Sequence, residues 1–402
     1  MTSASARTAL ELTADLPVAD LEDFYRDLHR HPELSLEEHR TAARLAERLK
    51  AAGFETAEGI GGTGVVGLLR NGDGPTVLLR ADMDALPVEE RTGLPYASKS
   101  PGVMHACGHD LHVTWLAGAA KALADGRDAW SGTLLLVGQP AEEAGGGAAA
   151  MVADGLYDRV PRPDVLLGQH AVPGPAGLYA HVPGLIMSAT TDVEIVVHGR
   201  GGHGSAPHQA KDPVPVMAEM ILGLQNMVTR QFNAHDPVVV SVGMVKAGEA
   251  INVIPDMAEF GASLRMYSDE ARTKMQTAIP RLLKGIASAH GLEVDINYHV
   301  GGRVTVTDAA HTAFAAEQIH ELFGAERHHS LPAPLGGSED FADVLARVPG
   351  SFICLDATPL GGGPDAAFNH SPRATFDDSV LVDGTALYTQ LAVARLAQLA
   401  AA

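Results

Sequence analysis

Five short apolar runs along the chain are typical of strands that are buried on both faces. They are GVVGLLR (residues 64–70), PTVLLRADMD (75–84), GTLLLVGQP (132–140), DVLLGQH (164–170) and, much later, GSFICLD (350–356). Segments with helical periodicity separate these runs. Alternation of this kind predicts an α/β domain in which helices flank a mostly parallel sheet.

The helical periodicity is clear near the N-terminus. Apolar residues recur at the spacing of one helix face across residues 21–28. A second helix is predicted to start at Ser35, where Glu38 completes a capping-box pattern, and to stop at Gly53.

The pattern changes near Met187. Apolar and polar residues alternate in TTDVEIVVHG (190–199), and an amphipathic helix is predicted after Asp212 and Pro213, an N-cap and a first helical residue. Two alternating stretches, a helix after Ser268 and a last alternating stretch follow. The resulting order β-α-β-β-α-β predicts a ferredoxin-like α+β unit.

The change of pattern predicts a discontinuous domain organisation. A chain of 402 residues is long enough for two domains. We expect residues 187–300 to form an inserted second domain. Residues 1–186 and 301–402 are then the two parts of the other domain, the catalytic one.

Composition and charge exclude several kinds of partner. Lys and Arg number 29 against 49 Asp and Glu, so the formal net charge is -20. Nucleic acids and anionic membranes call for a basic surface, and neither is expected as a partner. The two cysteines imply no disulfide framework. No signal peptide or long apolar span is evident, which predicts a soluble, cytoplasmic protein.

Side chains that bind metals or act in catalysis follow the predicted strands. The segment MHACGHDLH, residues 104–112, places a thiol and three imidazoles just ahead of a helical pattern. Parallel strands bring their carboxyl ends to one edge of a sheet, where open α/β folds bind ligands. The residues expected there are Asp82, Asp84, Cys107, His109, Glu142, Glu143, His170 and His370.

Two hypotheses account for this collection. In one, Cys107 is a nucleophile with His109 or His170 as its base. In the other, thiolate, imidazole and carboxylate hold a borderline metal such as Zn²⁺. The neighbours Glu142 and Glu143 then divide the tasks of general base and ligand. The metal hypothesis is favoured because it also accounts for Asp82, Glu142, Glu143 and His370, but the residues alone leave both hypotheses open.

Seven motifs, in this order, resemble one known group of hydrolases. They are RADMDALP (80–87), MHACGHDLH (104–112), PAEEAGGGA (140–148), GRGGHGSAPH (199–208), INVIPD (251–256), GGSEDF (336–341) and NHSP (369–372). They resemble the aminoacylase, hippurate hydrolase and auxin-conjugate amidohydrolase group of co-catalytic metallopeptidases, and especially bacterial Nα-acyl-amino-acid aminoacylases. The resemblance spans nearly the whole chain. It implies a zinc-peptidase-like catalytic domain with an inserted dimerisation or lid domain.

The resemblance also implies tasks for single residues. Glu142 matches the general base. Asp82 matches an aspartate that orients a metal-ligating histidine, although Arg80 stands at that histidine's position and His109 replaces it. One or two Zn²⁺ ions are expected, with Mn²⁺ or Co²⁺ as alternatives. The implied metal ligands are Cys107, which bridges two ions where two bind, with His109, Glu143, His170 and His370.

Residues of the inserted domain carry further implied tasks. His203 in the GRGGHGS loop matches a histidine that reaches into the partner subunit's site and polarises the scissile carbonyl, which implies a homodimer. Asn252 and Arg265 match residues that bind the substrate's free carboxylate, and the planar fork of arginine suits that group. The glycine-rich loop LGGGPDAAFNH (360–370) is expected to border the site.

The activity that the resemblance implies is metal-dependent hydrolysis of an N-acyl amino acid to a carboxylic acid and a free amino acid. A dipeptidase or carboxypeptidase with the same apparatus is the alternative among hydrolases. A metal- or amino-acid-binding protein without catalysis is the alternative from another class.

Overall fold

The computed structural model of the protein describes residues 8–14, 16–359 and 366–401, so residues 360–365 of the loop expected at the site lie outside the described residues. The strands are β1 (Glu55–Ile60), β2 (Gly64–Asn71), β3 (Thr76–Asp82), β4 (Gly132–Gln139), β5 (Val165–Pro175), β6 (Tyr179–His181), β7 (Gly184–Met187), β8 (Ala189–His198), β9 (Gly202–His203), β10 (Val238–Ala247), β11 (Val253–Ile254), β12 (Met257–Met266), β13 (Glu293–Val300), β14 (Thr305–Thr307), β15 (His328–Ser330) and β16 (Gly350–Thr358). The helices are α1 (Ala9–Ala14), α2 (Val18–Arg30), α3 (His39–Ala51), α4 (His109–Asp125), α5 (Gly147–Ala153), α6 (Leu156–Arg159), α7 (Pro213–Gln231), α8 (Asp269–Ala289), α9 (Ala309–Phe323), α10 (Ala342–Leu345) and α11 (Val380–Ala400).

The described residues fall into two compact units. The first contains Met1–Ile186, Val306–Ala333 and Asp340–Ala402, and the second contains Met187–Thr305 and Pro334–Glu339. The short segment Pro334–Glu339 of the second unit has no counterpart among the segments predicted from the sequence.

The first unit is built on a mixed sheet. Within its described part, eight strands lie in the order β1-β2-β4-β3-β5-β16-β6-β15. The central strands β4, β3, β5 and β16 are parallel to one another. All five predicted strands are present, and the α/β class is confirmed. The GVVGLLR strand, β2, nevertheless runs antiparallel to β4. Only residues 72–75 join β2 to β3, which is too short for the crossover that would make these two strands parallel. Because β3 is parallel to β4, β2 is antiparallel to both.

The start of α3 differs from the sequence prediction. The helix begins at His39 rather than at Ser35, and the Glu38 side chain makes no capping bond to it. Its first amides are instead satisfied by Glu33, whose carboxylate accepts hydrogen bonds from the main-chain N–H groups of Arg40 and Thr41. The capping-box prediction was wrong because the Ser35 and Glu38 side chains bind other parts of the fold.

The second unit has the predicted ferredoxin-like topology. Its strands lie in the order β10-β12-β8-β13, and each neighbouring pair is antiparallel. The predicted caps are also present: Asp212 accepts a hydrogen bond from Val214 N at the start of α7, and Ser268 accepts one from Ala271 N at the start of α8. Both helices bury an apolar stripe against the sheet. The inserted dimerisation or lid role of this unit stays a prediction.

None of the helices among the described residues is long and apolar enough to cross a membrane.

Helix α4 carries part of the site and is packed tightly against α11. It is buried on nearly all sides. Gly384 of α11 lies against the indole of Trp115, and a Cβ at this glycine would lie 2.4 Å from the ring. Two large helices therefore approach each other where one residue has no side chain.

We expect Gly384→Ala to destabilise the first unit. The added methyl group must displace a buried aromatic ring, and overpacking of this kind costs about 1–3 kcal/mol of the free energy of unfolding. Denaturant unfolding followed by tryptophan fluorescence measures the loss, because Trp115 and Trp130, the two tryptophans of the chain, both lie in this unit.

The matched control is Gly285→Ala in the equally long helix α8. A Cβ at Gly285 would have nothing within 4 Å. Alanine is the better helix former, so this variant should be neutral or more stable by up to about 1 kcal/mol, measured by circular dichroism. Equal effects of the two substitutions would contradict the packing argument.

Candidate metal centre

The site residues of the first unit come from the ends of strands and the start of α4. Asp82 is the last residue of β3, His170 lies in β5, and Glu142 and Glu143 follow β4. Cys107 and His109 flank Gly108, the N-cap residue directly before α4, which has a φ of 83°. A side chain at Gly108 would be strained and would press on Ala171 of β5. The glycine therefore allows the loop to approach the sheet.

Cys107 lies among imidazoles. Its Sγ is 3.7 Å from His170 Nε2, and the Asn369 amide donates to it at 3.5 Å. Burial alone would raise the pKa of the thiol, yet the imidazoles of His170, His109 and His370 hold this pKa well below its usual value. This environment favours the thiolate form of Cys107, which is the form that binds metals.

Glu143 joins two groups of potential ligands. One contains Cys107, Glu143 and His370, and the other His109, Glu142 and Glu143, each with ligand atoms within 4.8 Å of one another. The Glu143 carboxylate lies 3.4 Å from His370 Nε2 and 3.9 Å from His109 Nε2. Glu142 lies 4.0 Å from the same His109 nitrogen. The two adjacent glutamates thus face one imidazole.

The charges of this cluster perturb one another. Burial and the nearby Cys107 thiolate raise the pKa of Glu143 to about 7. Hydrogen bonds with Cys107 and Glu143 raise the pKa of His370 to about 10. Burial alone would lower the pKa of His109, but Asp82, Asp84 and Cys107 hold it well above its usual value. The site concentrates negative charge and stabilises positive charge placed within it.

Two of the imidazoles are oriented by main-chain carbonyl groups. His109 Nδ1 donates to Asp84 O at 2.8 Å, and His170 Nδ1 donates to Ala171 O at 2.8 Å. A hydrogen bond at one ring nitrogen fixes the ring and directs the other nitrogen toward a ligand. In both rings the nitrogen so directed is Nε2, which faces the thiolate and carboxylates.

The residues fit a divalent metal ion. Within the described residues, His109 Nε2 and Glu143 Oε1 are buried and have no hydrogen-bond partner. Buried polar atoms are rarely left unpaired, and these two, which face each other across 3.9 Å, are suited to bind a metal ion between them. Thiolate, imidazole and carboxylate are the ligands that borderline metals such as zinc take.

Asp82 binds elsewhere than the resemblance implies. Its carboxylate accepts from Arg80 at 2.7 Å and from His112 Nδ1 at 2.5 Å, whereas His109 Nε2 is 3.7 Å away. His112 Nε2 in turn accepts from Ala171 N at 2.7 Å. Burial lowers the pKa of His112 to about 4, so this ring is neutral. Both its nitrogens are engaged, and Asp82 therefore supports the site through His112.

No task in the site is predicted from the sequence for Asp84 or His112. The Asp84 carboxylate accepts from Glu142 N at 3.1 Å and Glu143 N at 2.9 Å, and its carbonyl group orients His109. Asp84 lies two residues after Asp82, and His112 lies one helical turn after His109. These spacings are the signals by which a sequence could have indicated them.

The three candidate substrate residues lie in the second unit. The pairing of β9 with β11 sets His203 opposite Val253, and Asn252 precedes Val253. His203 Nδ1 accepts from Ser205 N at 3.1 Å, and the residue is exposed. Arg265 lies on β12 opposite Thr190 of β8 and is half-buried. His203 and Asn252 are therefore brought together, while Arg265 belongs to another sheet.

Comparison with known proteins identifies the family. The model of "Peptidase family M20/M25/M40" matches residues 78–394. The chain belongs to this family. It is 39% identical over 376 residues to a hippurate hydrolase of Campylobacter jejuni. That alignment covers 93% of this chain and 96% of the hydrolase. It is 35% identical over 360 residues to an N-acetyl-L-cysteine deacetylase of Bacillus subtilis, covering 89% and 83%.

A solved structure agrees with this membership. The Bacillus subtilis YXEP protein, described as a dinuclear metal-binding peptidase of the M20 family, superimposes with a TM-score of 0.77 at 31% identity, over 94% of this chain and 98% of that one. As a member of the M20/M25/M40 family the protein is a hydrolase, and the cluster around Cys107 and Glu143 is its candidate metal centre.

We expect Cys107→Ala to lower the metal content and the activity together. The substitution removes a buried thiolate that three imidazoles surround. Metal analysis of the purified variant after dialysis against a limiting concentration of zinc measures the loss. The matched control is Cys354→Ala, because Cys354 is the other free, buried cysteine and lies inside β16. The control should keep its metal. A metal-replete but inactive Cys107→Ala would instead favour the nucleophile hypothesis.

Proposed function

We propose that the protein is a metal-dependent amidohydrolase that cleaves N-acyl-L-amino acids to a carboxylic acid and a free amino acid. The observation that carries this proposal is the pair of adjacent carboxylates, Glu142 and Glu143, that face one buried imidazole beside a thiolate. The hippurate hydrolase and deacetylase relatives support the substrate class, because the substrates in their names are N-acylated amino acids.

The proposed metal ligands form one set. They are Cys107, His109, Glu143, His170 and His370. The sharing of Glu143 between two ligand groups supports a site for two ions, of which Zn²⁺ is the proposed identity and Mn²⁺ or Co²⁺ the alternatives. A divalent cation held there would supply Lewis-acid activation of the amide carbonyl and of water.

Glu142 is the proposed general base and acid. Its main-chain N–H is held by Asp84, so the side chain projects from a fixed point, and its carboxylate is largely buried. It takes a proton from the attacking water and later delivers that proton to the leaving amine nitrogen. Glu143 differs because its carboxylate lies between His109 and His370, in the position of a ligand.

Residues of the second unit are proposed to recognise the substrate. Ser205 N donates to His203 Nδ1, which leaves the proton on Nε2, and this N–H can donate to the oxygen of the scissile carbonyl. Arg265 and Asn252 offer donors for the free carboxylate of the amino acid. No ion pair holds the Arg265 guanidinium among the residues that the structure describes, so its fork can bind a ligand.

We also propose a homodimer that forms through the second unit. β10 lies at the edge of the four-stranded sheet and exposes Val239 and Val245. An edge strand with exposed apolar side chains is suited to pairing with another chain.

We expect Glu142→Gln to keep the bound metal and to lose most of the activity. The amide preserves the shape of the side chain but cannot accept a proton, and general acid–base catalysis contributes about 100- to 10,000-fold to a rate. The neighbouring Glu143→Gln is the control and should lose metal as well. Turnover by Glu142→Gln within a few-fold of the unsubstituted protein would refute the assignment of the base.

The substrate class is tested with a panel after removal of metal by a chelator. We expect zinc, manganese or cobalt to restore hydrolysis of N-acyl amino acids such as hippurate and N-acetyl-L-cysteine. Dipeptides with a free amino group are the comparison. Faster hydrolysis of dipeptides would favour a dipeptidase, and absence of any turnover with every metal would favour a binding protein.

A further inference from the structure

The turn that carries Glu142 and Glu143 is held by buried carboxylates. Asp84 accepts from the main-chain N–H groups of both glutamates. Asp340 accepts from those of Gly146 and Ala148 at 3.1 and 3.0 Å. A third carboxylate, that of Glu38, binds the start of the turn. Five main-chain N–H groups between residues 141 and 148 therefore donate to buried carboxylates.

Glu38 holds the residue directly before the two glutamates. Its Oε1 accepts from Ala141 N at 2.8 Å, and its Oε2 accepts from the Thr63 hydroxyl group. Glu38 is 0% exposed, and Ala141 is also buried. This contact joins the segment before α3 to the end of β4, which lie 103 residues apart in the chain.

Ala141 has a backbone conformation that alanine does not favour. Its φ is 51°, in the left-handed region, where a Cβ costs about 1–2 kcal/mol relative to the ordinary helical conformation. Strained backbone of this kind persists only where the surrounding structure holds it. The next residue is Glu142, so the backbone conformation of Ala141 determines the direction in which the side chain of the proposed base points.

The buried carboxyl group of Glu38 depends on its hydrogen bonds. Among the described residues no cation pairs with Glu38, and its donors are one main-chain N–H and one hydroxyl group. Burying a charge is unfavourable unless its hydrogen bonds compensate. Hydrogen bonds from neutral donors to a carboxylate are short and strong, which suits a group that must fix a strained backbone.

From these contacts we propose that Glu38 is a positioning residue for catalysis. It stabilises Ala141 in the left-handed conformation and thereby places the Glu142 carboxylate. The proposal rests on the proposed function, because it takes Glu142 as the general base. Glu38 itself touches neither the substrate nor the metal ligands.

The test compares two carboxylates with similar bonding. Glu33 also accepts from main-chain N–H groups and a threonine hydroxyl group, those of Arg40 and Thr41 at the start of α3. Both Glu38→Ala and Glu33→Ala remove a carboxylate from a buried or half-buried site and should lower the melting temperature. We expect kcat per bound metal to fall by about 10- to 100-fold in Glu38→Ala, the scale of a misplaced catalytic group. KM should change little, and Glu33→Ala should keep kcat.

Two conservative variants test the hydrogen bond itself. In Glu38→Gln the amide oxygen can still accept from Ala141 N, and the NH₂ group can donate to a rotated Thr63 hydroxyl group, so kcat should return close to that of the unsubstituted protein. Thr63→Val keeps the size of the side chain but removes one hydrogen-bond donor to Glu38. It should lower kcat by less than Glu38→Ala does.

Three results would overturn the proposal: equal kcat values for Glu38→Ala and Glu33→Ala, a loss of metal with unchanged kcat per metal, or a Glu38→Gln as slow as Glu38→Ala. Failure of the proposed function is separate. It would appear as activity retained in Glu142→Gln, measured in the same series, whatever the Glu38 variants do.

Discussion

Buried negative charge at one edge of the first unit's sheet is the constraint on which the rest of the structure depends. Asp82, Glu142, Glu143 and the Cys107 thiolate are all largely removed from water. Their mutual repulsion would protonate or disperse them unless positive charge or hydrogen-bond donors compensate. The buried guanidinium of Arg80 compensates Asp82, and imidazoles compensate Cys107. The adjacent Glu142 and Glu143 add further negative charge, which a divalent cation at the proposed site would offset.

The fold compensates its other buried carboxylates with main-chain N–H groups. Glu38, Asp84 and Asp340 each accept from amides of the turn after β4. These bonds satisfy the carboxylates, and they also fix a turn that no regular secondary structure holds. The hydrogen bonds that stabilise the buried carboxylates therefore also make the turn rigid. A rigid turn keeps the two neighbouring glutamates in different positions. Glu143 lies between His109 and His370, and Glu142 lies next to His109 alone.

The sequence predicts those features that depend on local pattern. Apolar runs indicate β3, β4 and β5, and their shared direction indicates which edge collects the polar residues. The N-cap at Asp212 is equally local, since residue types within two positions decide it. Glu38 shows the limit. Its spacing from Ser35 fits a capping box, but its real partners, Thr63 and Ala141, are distant in the chain. The role of Asp84 is not predicted for the same reason, because that role depends on tertiary contacts.

The two cysteines show how environment decides between the competing explanations of the site. Cys354 lies in β16 and is fully buried, as a small core side chain can be. Cys107 is 8% exposed, and ring nitrogens and the Asn369 amide are directed at its sulfur. A nucleophilic thiolate needs one base and a free line of approach for the substrate. The Cys107 sulfur is largely buried and has several donors around it, an enclosure that suits a metal ligand. The surroundings of Cys107 therefore favour ligation over nucleophilic attack.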